Sequence, residues 1–262
     1  MKRMMLRGLA IFGLVVGSLG VVGLAGQETG TKPETIAPPP GMVAPEPPKP
    51  AAYDARNDWA YLERFKEADL KLGAPSPGED RVVFMGDSIT QGWHLEASFP
   101  GKTYVNRGIS GQTTPQMVLR FRQDVIRLKP KVVVILAGIN DVAGNTGPMT
   151  LDQTEDNLAS MAELAEASGI KVVLCSVLPA FDFPWRPGLA PALKVVALNE
   201  WIRAYAALHG HVYVDYYTPM KDERGGLPET LSKDGVHPLP AGYAVMAPLA
   251  EAGIQKALKA AP

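Results

Sequence analysis

The sequence predicts an α/β fold of the doubly wound kind: a three-layer sandwich with a five-stranded parallel sheet. Two observations carry it. Five short runs rich in β-branched residues are bounded by Gly, Pro or Asn, and between successive runs apolar residues recur at helical spacing. Strands that alternate with crossover helices form a parallel sheet covered on both faces. Apolar residues make up 46% of the chain and charged ones 20%, the balance of a protein that can bury a core.

In chain order, Trp59, Leu62, Phe65 and Leu70 suggest an amphipathic helix ahead of the first strand. The expected strands are 81–85, 103–105, 132–136, 172–177 and 212–214. Val118, Phe121, Val125 and Leu128 mark a helix, as do Leu151, Leu158, Met161 and Leu164. Leu193, Val196 and Trp201 mark another, and Tyr243, Met246 and Leu249 the last. Ligands of such sheets bind beyond the carboxyl ends of the strands, so reactive residues should gather there.

Residues 1–25 read as a signal peptide or an N-terminal membrane anchor. Lys2, Arg3 and Arg7 precede an apolar run from Gly8 to Leu24 that ends in small residues. The run is near the lower length limit for a membrane span and contains Gly13-x-x-x-Gly17, which keeps the uncleaved anchor as the competing reading. Export, periplasmic or extracellular, follows from either, with a membrane tether if the segment stays. The single cysteine, Cys175, is far from any cleavage site, which closes the lipoprotein route and excludes a disulfide framework. Residues 26–52 form a Pro-rich linker, and 53–262 the globular domain. With 26 basic and 27 acidic residues the chain has no electrostatic footprint for nucleic acid.

The first strand ends in Gly86-Asp87-Ser88, which puts a serine at a strand-to-helix turn, either as a helix cap or as a nucleophile beside free backbone N–H groups. The second ends in Asn106-Arg107-Gly108-Ile109-Ser110-Gly111 and the third in Gly138-Ile139-Asn140-Asp141. Gly108 can present its N–H unobstructed, and the Asn140 amide can donate to the same oxygen. Beyond the fifth strand, Asp234-x-x-His237 places a carboxylate within reach of an imidazole.

Those four blocks, in that order, resemble the SGNH hydrolase superfamily of GDSL esterases, lipases and acylhydrolases, with Ile89 where leucine is more usual. The resemblance spans about Arg81 to Leu258. It implies a flavodoxin-like sheet and a Ser-His-Asp triad: Ser88 the nucleophile, His237 the general base and acid, Asp234 the residue that orients the imidazole. It also implies an oxyanion hole made by the backbone N–H groups of Ser88 and Gly108 and the side chain of Asn140. No metal or other cofactor is called for. Asp87 and Asp141 adjoin these residues and are read as turn-stabilising.

His209-Gly210-His211 is half a metal site at best, and His94 either lines the pocket or is an exposed loop residue. Phe181, Phe183, Trp185 and Arg186 lie in a loop after the fourth strand, where aromatics either wall an acyl or sugar site or pack down as a loop core. The loop is short and punctuated by proline, unlike an interfacial lid. The expected activity is therefore hydrolysis of short-chain carboxylic esters, including O-acetyl groups on carbohydrates. The alternatives are a lysophospholipase or thioesterase with a longer acyl pocket, and an inert carbohydrate-binding module.

Overall fold

The computed structural model describes residues 54–260. The expected leader (1–25) and all of the linker (26–52) lie outside them. Helix α1 (Lys66–Leu72) leads into strand β1 (Val82–Gly86), followed by two single turns, α2 (Ser88–Gln91) and α3 (Leu95–Ser98). Then come β2 (Tyr104–Gly108), α4 (Thr114–Asp124), β3 (Val132–Leu136), the short α5 (Ile139–Val142) and α6 (Leu151–Glu166). The chain continues through β4 (Lys171–Cys175), α7 (Ala192–Leu208), β5 (Val212–Val214), α8 (Tyr217–Met220) and α9 (Pro240–Lys259).

The five strands are all parallel in the order β2-β1-β3-β4-β5. Chain order reverses at β1, which pairs with β2 on one side and β3 on the other, so the crevice beyond the ends of β1 and β3 is the switch point of a doubly wound sheet. All five residues of β1 and of β3 are buried, as strands covered on both faces must be. Helices α4, α6 and α7 pack side by side as one layer, while α9 packs on β3, β4 and β5 and touches α3 and α8. Gly253 lets α9 come close to the sheet: a Cβ there would meet Val214 Cγ2 at 2.4 Å. Cys175 closes β4 as a free, buried thiol, and burial pushes its pKa up to about 12.

One sequence expectation is corrected, and one expected helix is found with its buried face elsewhere than on its marker residues. The helix expected from Trp59 to Leu70 exists only as α1, none of whose residues is buried; residues 54–65 are mostly turns. The inward face of α7 is Val195, Leu198, Ile202 and Ala206, whereas Leu193 is exposed and Val196 and Trp201 only half-buried. That helix is apolar enough all round for the spacing alone to leave its phase open.

Candidate active site

At the end of β1 the backbone turns so tightly that Gly86 has no room for a side chain: a Cβ would lie 2.1 Å from Thr90 Oγ1 and 2.7 Å from Leu136 O. Asp87 caps α2 by accepting the Ile89 N–H at 2.9 Å, and Ser88 begins that helix. Buried Arg120 braces the turn from behind. It donates to Gly86 O at 3.0 Å and Gln112 Oε1 at 2.6 Å, and pairs with Asp124 at 3.0 Å. Because α2 has a single turn, its contribution to a developing anion comes from individual N–H groups and hardly from a summed helix dipole.

His237 comes to Ser88 from the loop between α8 and α9. Ser88 Oγ and His237 Nε2 are 2.9 Å apart, and His237 Nδ1 and Asp234 Oδ2 are 2.6 Å apart. The loop holding them is fixed by its own hydrogen bonds: Asp234 Oδ1 accepts the N–H of His237 at 2.8 Å, the N–H of Val236 at 3.0 Å and the Ser232 hydroxyl at 3.1 Å. Partial burial opposes ionisation of Asp234, but bonds from the His237 backbone and ring and the Val236 N–H outweigh it, bringing the pKa down to about 2. An ionised carboxylate only accepts, so the proton between the two residues sits on Nδ1 and the lone pair of Nε2 faces the serine hydroxyl. This arrangement can take a proton from Ser88 and later return it to a leaving group.

Among the described residues, hydrogen-bond donors without a partner occur on the turns that follow β1, β2 and β3. The Ser88 N–H makes no hydrogen bond among the described residues, and Asn140 is buried with one amide hydrogen on Gln112 O at 3.0 Å and the other unengaged. Gly108 is a correction. Its N–H is donated to Asn106 Oδ1 at 2.9 Å, and a Cβ on it would lie 2.1 Å from Gln91 N, so it is a close-packing position beneath α2 and not a donor to substrate. Three residues on, Gly111 (φ 76°) has an N–H without a partner among the described residues. Its loop is strapped on both sides, by Ser110 N–H to Gln91 Oε1 at 2.7 Å and by Asn140 to Gln112 O. The signal for Gly111 was present in the sequence as a second glycine past the strand end.

A residue that the sequence did not single out, Asn145, joins this frame to the aromatic loop. Trp185 Nε1 donates to Asn145 Oδ1 at 3.2 Å, and Asn145 Nδ2 donates to Asn140 Oδ1 at 2.7 Å. The Trp185 ring lies 6.1 Å from that of His237. The rest of the loop divides: Phe183 is buried, Phe181 is half-exposed with Arg224 stacked 5.1 Å over its ring, and Arg186 donates to the carbonyls of Ala143 and Gly144.

Asp141 straps α5 to α4 by accepting the N–H and hydroxyl of Thr114. Burial pushes Asp87 up to about 7; its Oδ2 has no partner among the described residues, and the Ile89 N–H and nearby His237 only partly offset the burial. His94 is exposed and helps line a cleft with Trp93 and Tyr243. His211 lies tilted 5.9 Å from the Tyr205 ring and faces Glu166 at 3.8 Å, a carboxylate the sequence had not suggested; no group of three metal-binding side chains occurs among the described residues.

The comparisons with known proteins agree with this architecture. A crystal structure of a GDSL-like lipase from Bacteroides thetaiotaomicron VPI-5482 shares 48% identity with a TM-score of 0.74, over 76% of this chain and 99% of that one. Esterase TesA of Pseudomonas aeruginosa is 30% identical over 172 residues, 62% of this chain and 77% of that protein. An acetylxylan esterase of Geobacillus stearothermophilus is 48% identical over 98 residues, 28% of this chain and 43% of that one. Residues 84–245 match the GDSL-like Lipase/Acylhydrolase family, and the chain, a carboxylic ester hydrolase, belongs to it.

Proposed function

We propose that the protein is an exported serine esterase that removes short acyl groups, O-acetyl groups on carbohydrates among them, through an acyl-enzyme. The observation that carries this reading is the continuous chain Ser88 Oγ, His237 Nε2, His237 Nδ1, Asp234 Oδ2, with steps of 2.9 and 2.6 Å, at the switch point of the sheet.

In this mechanism Ser88 Oγ attacks the ester carbonyl as its proton passes to His237 Nε2, and ionised Asp234 stabilises the imidazolium. The carbonyl oxygen, now anionic, is received by the N–H of Ser88, the free hydrogen of Asn140 and the N–H of Gly111. Each such preorganised donor is worth about 3–4 kcal/mol in the transition state. His237 then protonates the leaving alcohol, and a water activated by the same nitrogen releases the acid and restores Ser88.

A short acyl group is favoured because buried Phe183 pins the loop after β4 into the core while Trp185 and Arg186 tie it to Asn145, Ala143 and Gly144, so the loop is held too firmly to fold over a long chain. The partial likeness to an acetylxylan esterase points the same way. A second reading, longer acyl specificity, draws on a cleft of about 540 Å³ lined by Trp93, Tyr243 and Pro238, the last next to His237 in sequence. Export rests on the leader at residues 1–25. The deciding experiment is hydrolysis of p-nitrophenyl acetate by purified wild type and Ser88→Ala: wild type turns over, and the variant does not. Substantial activity in Ser88→Ala defeats the serine mechanism.

A further inference from the structure

The stretch Asp58–Arg64 lies outside the residues matched by the family, yet it is built firmly against the candidate site. Asp58 folds it by accepting the N–H groups of Leu62 at 2.7 Å and Glu63 at 3.0 Å. Three glutamine side chains then hold its carbonyls: Gln116 that of Trp59 at 2.6 Å, Gln112 that of Ala60 at 2.7 Å, and Gln123 that of Leu62. Tyr61 is kept at φ 56°, a left-handed conformation that a tyrosine adopts only under constraint. Besides taking Arg120 on its Oε1, Gln112 receives Asn140 on its backbone carbonyl, so the arm and the oxyanion donor share one anchor.

Between the arm and the 109–112 loop is an open cleft of about 680 Å³, reached by Trp59, Tyr61 and Arg64 on one side and by Ser110, Gly111 and Asn145 on the other. Trp59 leaves 41% of its surface exposed there. The volume is in the range of clefts that hold drug-sized molecules and far beyond what an acetyl group fills. A hydrocarbon chain is a poor occupant, because it would cover amides, a hydroxyl and a guanidinium without answering them. Aromatic faces among hydrogen-bonding side chains suit a pyranose, with its apolar ring face and its rim of hydroxyls.

We infer that this arm forms the subsite for the alcohol part of the substrate, and that it takes a glycosyl unit stacked on Trp59. The inference rests on the serine-esterase reading above and adds the place and chemistry of leaving-group recognition.

The test compares kcat/KM for acetylated xylo-oligosaccharides with kcat/KM for p-nitrophenyl acetate. In Trp59→Ala the ratio of the two should fall about five- to tenfold. Trp59→Leu, which fills the space without a π face, should lower it as well, and Trp59→Phe should keep most of it. An unchanged ratio in the Ala and Leu variants, including a parallel fall on both substrates, overturns the inference. So does a wild type that cleaves the aryl ester and no acetylated oligosaccharide, an outcome that leaves the serine esterase standing. Aryl ester activity that survives in Ser88→Ala would instead defeat the mechanism itself.

Discussion

Trp185 and Asn140 are joined through a single side chain: Asn145 receives the indole N–H at 3.2 Å and passes an amide N–H to Asn140 Oδ1 at 2.7 Å. The outer aromatic loop therefore helps to set which way the Asn140 amide points. Asn145→Ala should lower kcat about tenfold with little change in KM, since the loss falls on the transition state. Trp185→Phe, which keeps the ring and removes the donor, should produce a smaller effect of the same kind. A purely structural Asn145 would lower the melting temperature and leave kcat where it was.

Ser88→Ala should abolish turnover, and Asp234→Asn should cut kcat by about 10³- to 10⁴-fold, short of complete loss. Steady-state kinetics on p-nitrophenyl acetate reads both. Asp234 holds its charge down to about pH 2, so a fall in rate on mild acidification should not trace to loss of that carboxylate's charge.

Asp87 makes stability depend on pH in the opposite sense to Asp234. Its folded pKa, about 7, lies above the ordinary 3.8, so the folded state is favoured while it is protonated and loses that advantage as pH rises from about 4 through 7. Asp234, lowered to about 2, contributes above pH 4 and loses its contribution as pH falls through 2. Asp87→Asn keeps an oxygen to cap Ile89 and cannot ionise. Urea unfolding should show it gaining on wild type by about 2–4 kcal/mol between pH 5 and pH 8, and no gain would mean that Asp87 ionises freely.

Gly108→Ala and Gly111→Ala should part company. At Gly108 the new methyl meets the backbone of Gln91 and Asp87, at 2.1 and 2.7 Å, so α2 and Ser88 must shift and activity should collapse together with stability. At Gly111 the space is open but φ is 76°, which costs about 1–2 kcal/mol. That variant should stay folded by circular dichroism and lose activity only in part.

Acyl length offers the last test. Rates on p-nitrophenyl acetate and butyrate should exceed that on the palmitate ester, and the reverse order would favour the cleft lined by Trp93, Pro238 and Tyr243 as an acyl channel.

The sheet was legible because β-branched runs such as Val132–Leu136 are buried on both faces, and burial of that kind is written in composition. Ser88, Asn140, Asp234 and His237 stood out in the sequence as polar residues past strand ends, and the structure brings Ser88, His237 and Asp234 into one hydrogen-bonded chain. The segment before α1 was not. Trp59, Leu62 and Phe65 keep helical spacing, but the Asp58 carboxylate and three distant glutamines capture the backbone that a helix would have used. The choice between Gly108 and Gly111 was also out of reach, since it turns on whether the Asn106 side chain takes the N–H. Asn145 carries no motif and acquires its role only when Trp185, 40 residues away, folds over it.

Cys175, at the end of β4, gives the protein a built-in reporter. Since the thiol is buried and far from its reactive form at neutral pH, an aromatic disulfide reagent should find nothing to label in the native state. Labelling then proceeds only through openings that expose the central sheet, at one site per molecule. The rate of colour release in mild denaturant would count those openings directly, without any engineered probe.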